Sequence, residues 1–201
     1  MTARKFYRTF FLFAFFSLVS FSAFAQDENA PDEYEDPVQN YARNGKGDNY
    51  IIVSLMPSFP LNFGKHLKVG GAAGLGYHRF LNSWLALGAD LMIGYHPTIG
   101  SNVFNFWPIT FAVTFQPYVW KFEFPIKLGL GIAYETYENR KYFPGFALKP
   151  EFAVFFRTFD SWSFGIGTTF LWLPQWYSGK NKKKNFDGLF MTAQVSVRYH
   201  F

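Results

Sequence analysis

Residues 189 to 201 read Leu189-Phe190-Met191-Thr192-Ala193-Gln194-Val195-Ser196-Val197-Arg198-Tyr199-His200-Phe201. Leu189, Met191, Ala193, Val195, Val197, Tyr199 and Phe201 make one row, and Phe190, Thr192, Gln194, Ser196, Arg198 and His200 the other. A period of two sends successive side chains to opposite faces of a sheet, so this strand has one apolar and one largely polar face. A soluble lipocalin-like barrel would turn the apolar row inward. Here the polar row is the one suited to an interior, and the apolar row is left to meet lipid.

The same alternation recurs from Tyr50 onward. It predicts seven further strands, at about 50–60, 68–79, 84–95, 106–116, 125–137, 146–157 and 162–173, before the closing one. Aromatic residues make up 23% of the chain, with 28 Phe, yet no stretch after residue 25 is apolar for long enough to cross a membrane as a helix. In lipid every backbone N–H and C=O needs an internal partner, which only helices and closed sheets supply. The predicted fold is therefore all-β: an eight-stranded antiparallel transmembrane β-barrel occupying residues 49–201.

The N-terminus adds a destination. Arg4, Lys5 and Arg8 precede an apolar run from Phe10 to Phe24, and Ala23-Phe24-Ala25 before Gln26 is a small-residue cleavage pattern. Residues 1–25 are predicted to be a cleaved signal peptide, since this run falls short of the ~20 residues a spanning helix needs. Residues 26–48 follow as an acidic, flexible periplasmic segment with Asp27, Glu28, Asp32, Glu33, Glu35 and Asp36. Leaving out the signal and this segment turns the formal charge from +5 to +7. There is no cysteine, which excludes a lipid-modified N-terminus, disulfides and thiolate metal sites.

Connection lengths predict orientation. Leu81–Ser83 and Thr158–Ser161 are tight turns and, with Gln116–Phe124, alternate along the chain with the more polar connections His96–Asn105, Glu138–Gly145 and Pro174–Gly188. Short turns belong on the periplasmic side and longer loops outside. Trp84, Trp120, Trp162, Tyr199 and Phe201 then fall near one rim, and Tyr95, Trp107 and Trp172 near the other, as aromatic belts do.

Gln194, Ser196, Tyr199 and Phe201 resemble the C-terminal assembly signal of bacterial outer-membrane barrels, with Ser196 standing where that family usually has Gly. Together with the alternation, the chain resembles the small eight-stranded outer-membrane barrels, the class of the OmpA transmembrane domain, OmpX and OmpW. The Gly-rich stretches Val69–Tyr77 and Leu128–Tyr134 are most similar to OmpW-like barrels, though they do not choose a subfamily. The resemblance implies the outer membrane of a diderm bacterium, outer-membrane lipid as solvent, and contact with the barrel-assembly machinery through the last strand. An OmpW-like barrel would pass small, often hydrophobic solutes. The chain stops at its eighth strand, so no cell-wall-binding domain is expected after it.

The inward rows carry Asp90, Gln116, Lys127, Glu135, Lys149, Glu151, Arg157, Gln194 and Arg198, with His78 and His200 beside them. Opposite charges in a narrow lumen either pair into a plug or line a polar conduit. Glycines on several strands leave room for a conduit, and Phe106, Phe155 and Phe190 are placed to fill it. Pro108 and Pro150 each remove a ladder donor and could loosen the wall. Outside, Lys180, Lys182, Lys183 and Lys184 form a basic loop that either binds anionic surface ligands or is a solvated loop tip. A nucleic-acid partner is ruled out by compartment. His66 and His96 lie near Ser58, Ser101 and Ser178 by topology, but no carboxylate is placed to orient a histidine, so an enzyme is not expected. No ligand cluster suggests a metal or other cofactor. The expectation is a monomeric, narrow passive channel for small solutes, with a non-conducting structural or surface-contact barrel as the alternative.

Overall fold

The computed structural model describes residues 44–64, 66–100, 102–137, 140–176 and 186–201. The predicted signal peptide, most of the acidic segment and the four loop lysines lie outside the described residues. Ten strands are present among the described residues: β1 (Asn49–Pro60), β2 (Gly70–Asn82), β3 (Leu85–Pro97), β4 (Val103–Phe115), β5 (Tyr118–Val119), β6 (Phe122–Glu123), β7 (Ile126–Tyr137), β8 (Arg140–Phe159), β9 (Trp162–Gln175) and β10 (Phe186–His200). The eight long ones pair antiparallel in the order β8-β7-β4-β3-β2-β1-β10-β9, and β9 pairs back onto β8. The sheet is thereby closed, which removes the free edges that an open sheet would present.

Alternation sets the two faces. On β1, Ile51, Val53 and Leu55 point outward and are 39%, 51% and 67% exposed, while Tyr50, Ile52 and Ser54 are buried inside. Ile109, Phe111, Ile166 and Val195 continue the exposed apolar surface on β4, β9 and β10. A soluble monomer rarely leaves more than a few hundred Å2 of contiguous apolar surface uncovered, and this one runs around the wall.

Two connections differ from the sequence reading. Gln116–Phe124 is no plain link: β5 and β6 form a hairpin whose turn carries Trp120 at φ 55°, and β6 pairs with β8 through Phe122↔Phe156 and Glu123↔Phe155. The alternation of β7 extends two residues further back than expected, with Glu123 on the same inward parity as Lys127. Residues 140–145 are no loop either. β7 runs to Tyr137 and β8 begins at Arg140, and Pro144-Gly145, inside the stretch expected to be a connection, falls at a bulge where the register steps from Ala133↔Gly145 to Glu135↔Tyr142. A bulge accepts proline because the extra residue need not donate to the ladder.

Prolines also mark interruptions inside the wall. The β3–β4 register stops at Leu91↔Ile109 and resumes at Gly94↔Phe106, beside Pro108. The β8–β9 register stops at Leu148↔Trp172 and resumes at Glu151↔Thr169, beside Pro150. Pro57 does the same between Leu55↔Val195 and Ser58↔Thr192. Each still pairs with its other neighbour, as Pro57↔Gly71, Pro108↔Ala133 and Pro150↔Leu128.

The two ends are unlike. At the end near Asn49 and Phe201, β2 joins β3 through Ser83-Trp84 and β8 joins β9 through Asp160-Ser161. The Asn82 side chain shapes the first of these turns by accepting from the backbone N–H groups of Trp84 (3.1 Å) and Leu85 (2.8 Å). Residues 61–69, 98–102, 138–139 and 176–185 connect strands at the other, loop-rich end. Aromatics neighbour one another at both: the exposed Trp162 and Tyr199 at 5.0 Å near the turns, and the half-buried Trp172 and exposed Trp176 at 6.1 Å near the loops.

Candidate functional site in the barrel interior

Three layers of side chains fill the interior. The middle one is ionic. Asp90, from β3, accepts from His78 Nε2 through Oδ1 (3.0 Å) and meets Lys127 Nζ (2.9 Å) and Lys149 Nζ (2.8 Å) through Oδ2. Glu151 Oε2 lies 3.0 Å from Lys127 and 3.9 Å from Lys149, and Gln194 Nε2 donates to Glu151 Oε1 at 2.9 Å. Thr169 donates in turn to Gln194 (3.2 Å). Two ammoniums thus face two carboxylates, all buried, so the charges that would be costly alone are matched in place. The remaining space beside them is about 10 Å3, room for about one water.

Nearer the turns lies an arginine layer. Arg198 donates to Gln116 Oε1 (2.9 Å), stands 3.4 Å from Glu123 Oε2, and lies over the rings of Phe155 (3.6 Å) and Tyr50 (4.7 Å). Gln116 Nε2 also donates to Glu123 (2.9 Å), and Arg157 is 3.7 Å from the other Glu123 oxygen. His200 shares a hydrogen bond with Ser163 (2.9 Å). Glu123 is absent from the sequence-derived interior list because its segment read as a connection; following the parity of Lys127 back by four residues would have found it.

The layer toward the loops is apolar. Met56, Met92, Phe106, Leu171 and Phe190 pack together, with Phe106 and Phe190 stacked at 5.1 Å. His96 is buried against both rings. Its Nδ1 faces the Lys68 carbonyl at 2.9 Å, so that nitrogen carries the proton, and the neutral ring's Nε2 accepts from Ser58 Oγ at 3.0 Å. Topology thus does bring Ser58 to His96. Both are fully buried beneath phenylalanine rings, and a backbone carbonyl, not a carboxylate, orients the imidazole.

Glycines make these close contacts possible. A Cβ on Gly76 would stand 2.2 Å from Asp90 Oδ1, and one on Gly94 2.2 Å from the Phe106 ring. The space glycine leaves is therefore occupied, not open. Gly94→Val should cost about 1–3 kcal/mol through overpacking, read as a lower urea midpoint at unchanged slope.

Above the apolar layer the loop-rich end holds a cavity of about 240 Å3. Its walls include Phe63, Phe104, Leu173 and Phe190, and Glu135 reaches it from β7 beside Gln175 of β9. Glu135 therefore sits apart from the middle layer that gathers Asp90, Lys127, Lys149, Glu151 and Gln194, while Gln116, Arg157 and Arg198 meet in the arginine layer. Of the residues read as an assembly signal, Gln194 and Ser196 face inward, Ser196 bonding Ser54 at 2.7 Å, whereas Tyr199 and Phe201 are exposed and stacked at 6.0 Å.

Comparison with known proteins agrees with the architecture. Neisserial surface protein A has a TM-score of 0.64 at 10% identity, over 78% of this chain and 100% of that one. Ail of Yersinia pestis, solved with the heparin analogue sucrose octasulfate, gives 0.54 at 16% over 78% and 99%, and OprG of Pseudomonas aeruginosa 0.52 at 12% over 80% and 98%. At such identities the likeness is one of fold. In sequence, one uncharacterized protein of Treponema pallidum (strain Nichols) is 23% identical over 174 residues, covering 80% of this chain and 58% of the relative. A second is 30% identical over 132 residues, covering 66% and 59%. The chain thus spans under two thirds of the length of these relatives. A family model matches residues 28–199, and with a match of that extent the chain belongs to the family it describes.

Proposed function

We propose that the protein resides in the outer membrane of a diderm bacterium as a monomeric, non-conducting barrel that works through its loop-rich end as a surface-contact protein. The observation that carries this reading is the filled interior: an ionic layer with room for about one water, closed on either side by arginine-aromatic and phenylalanine packing. Membrane residence is supported by the outward apolar rows and by the outer-membrane barrels that share the fold. A narrow passive channel, OmpW-like in its passage of small solutes, would require all three layers to part. Contact with the assembly machinery would run through β10.

The surface reading adds Lys180, Lys182, Lys183 and Lys184, in the segment between β9 and β10. Four positive charges in so short a stretch attract sulfate or phosphate groups. That Ail, a barrel of similar fold, was solved with a sulfated heparin analogue supports an anionic glycan as the partner class. Full chain reconstituted in a planar bilayer should show no discrete openings, and steady openings would overturn the non-conducting reading. Exchanging the four lysines for Gln should lower retention on immobilised heparin at least about tenfold at low salt, with the difference shrinking as salt rises. Unchanged retention would remove the glycan.

A further inference from the structure

We propose that the cavity at the loop-rich end binds a small aromatic primary amine, held by Glu135. Its volume, about 240 Å3, exceeds the roughly 150 Å3 that accepts benzene in an apolar cavity, so a ring and a two-carbon arm fit. The wall is aromatic. Phe63 lies 4.9 Å from Phe190 and 6.2 Å from Phe104, and Phe104 and Phe190 are stacked within 8° of parallel. Such ring faces carry negative charge and hold cations as well as apolar groups.

Glu135 supplies the polar end. It is 2% exposed; one carboxyl oxygen accepts from Gln175 Nε2, and the other, Oε1, is buried with no hydrogen-bond partner. Among the described residues no lysine or arginine forms an ion pair with it, in contrast to every carboxylate of the layers below. A buried carboxylate without a countercharge is unfavourable, and an ammonium entering the cavity that Glu135 lines would supply one. One carboxylate among phenyl rings does not suit a hard divalent cation, which takes six or more oxygens. A ligand with one positive charge and an apolar ring matches Glu135 and the phenyl rings of the lining. The inference is independent of whether the barrel conducts and of what its loops contact.

The test is calorimetric titration of the full chain in lipid nanodiscs with 2-phenylethylamine and its neutral counterpart 2-phenylethanol, empty nanodiscs serving as the blank. The amine should bind at least about tenfold more tightly than the alcohol. Glu135→Gln should abolish that preference, and Leu173→Trp, which fills the cavity, should abolish binding of both. Heat-modifiable gel migration reports whether each variant is folded. Equal affinity for the two compounds, a preference that survives Glu135→Gln, or amine binding undiminished in Leu173→Trp would each overturn the site.

Discussion

Asp90→Ala should lower the unfolding free energy by about 3–5 kcal/mol, the loss typical when one partner of a buried charge set is removed. Asp90 Oδ2 stands within 2.9 Å of both Lys127 and Lys149, and Oδ1 holds His78. Without it two buried ammoniums share Glu151 alone, and Lys149 is 3.9 Å from that carboxylate. Urea unfolding in lipid vesicles is the measurement. The double variant Asp90→Asn with Lys149→Met restores the charge match and should recover most of the loss. A loss of under about 1 kcal/mol for Asp90→Ala would mean the layer behaves as a solvated surface pair and leaves the lumen wet.

Arg198→Ala should cost about 3 kcal/mol or more, for different reasons. Its guanidinium is held between the Phe155 and Tyr50 rings while it donates to Gln116 and faces Glu123. Truncation removes the packing and the donor together, and leaves Arg157, at 3.7 Å, as the remaining ion-pair partner of Glu123. Arg198→Lys retains the charge but neither the planar stacking nor the forked donors, so it should fall between wild type and alanine. If lysine restored full stability, charge alone would account for the residue and the ring contacts would carry little.

Much of this barrel was legible before its coordinates. A period of two is a strong signal where each face meets a different medium, and here it assigned Lys127, Glu151 and Arg198 to the inner face from parity alone. The connections were harder. Glu138–Gly145 reads as a connection, and only pairing against β7 shows that Arg140–Gly145 continues the strand through a bulge. Gln116–Phe124 reads as a link because a two-residue ladder is too short to display a period. Glycine was the ambiguous residue: sequence shows room beside Asp90 and Phe106 but not whether a neighbour fills it, which depends on side chains from strands remote in the chain. The Glu135 cavity was out of reach for the same reason, since Phe63, Phe104 and Phe190 converge from three separate segments.

Closure between β1 and β10 carries a consequence for the birth of the molecule. Tyr50 pairs with His200, and Ser54 bonds Ser196 across a separation of 142 residues. Until β10 is in place, β1 and β9 each expose a ladder to any passing strand, Glu151 lacks Gln194, and Glu123 lacks Arg198. A barrel lacking β10 therefore keeps two open edges and leaves buried charges without these partners. Its completion waits on its last strand, and the interval before that strand arrives is when the chain is most open to misassembly.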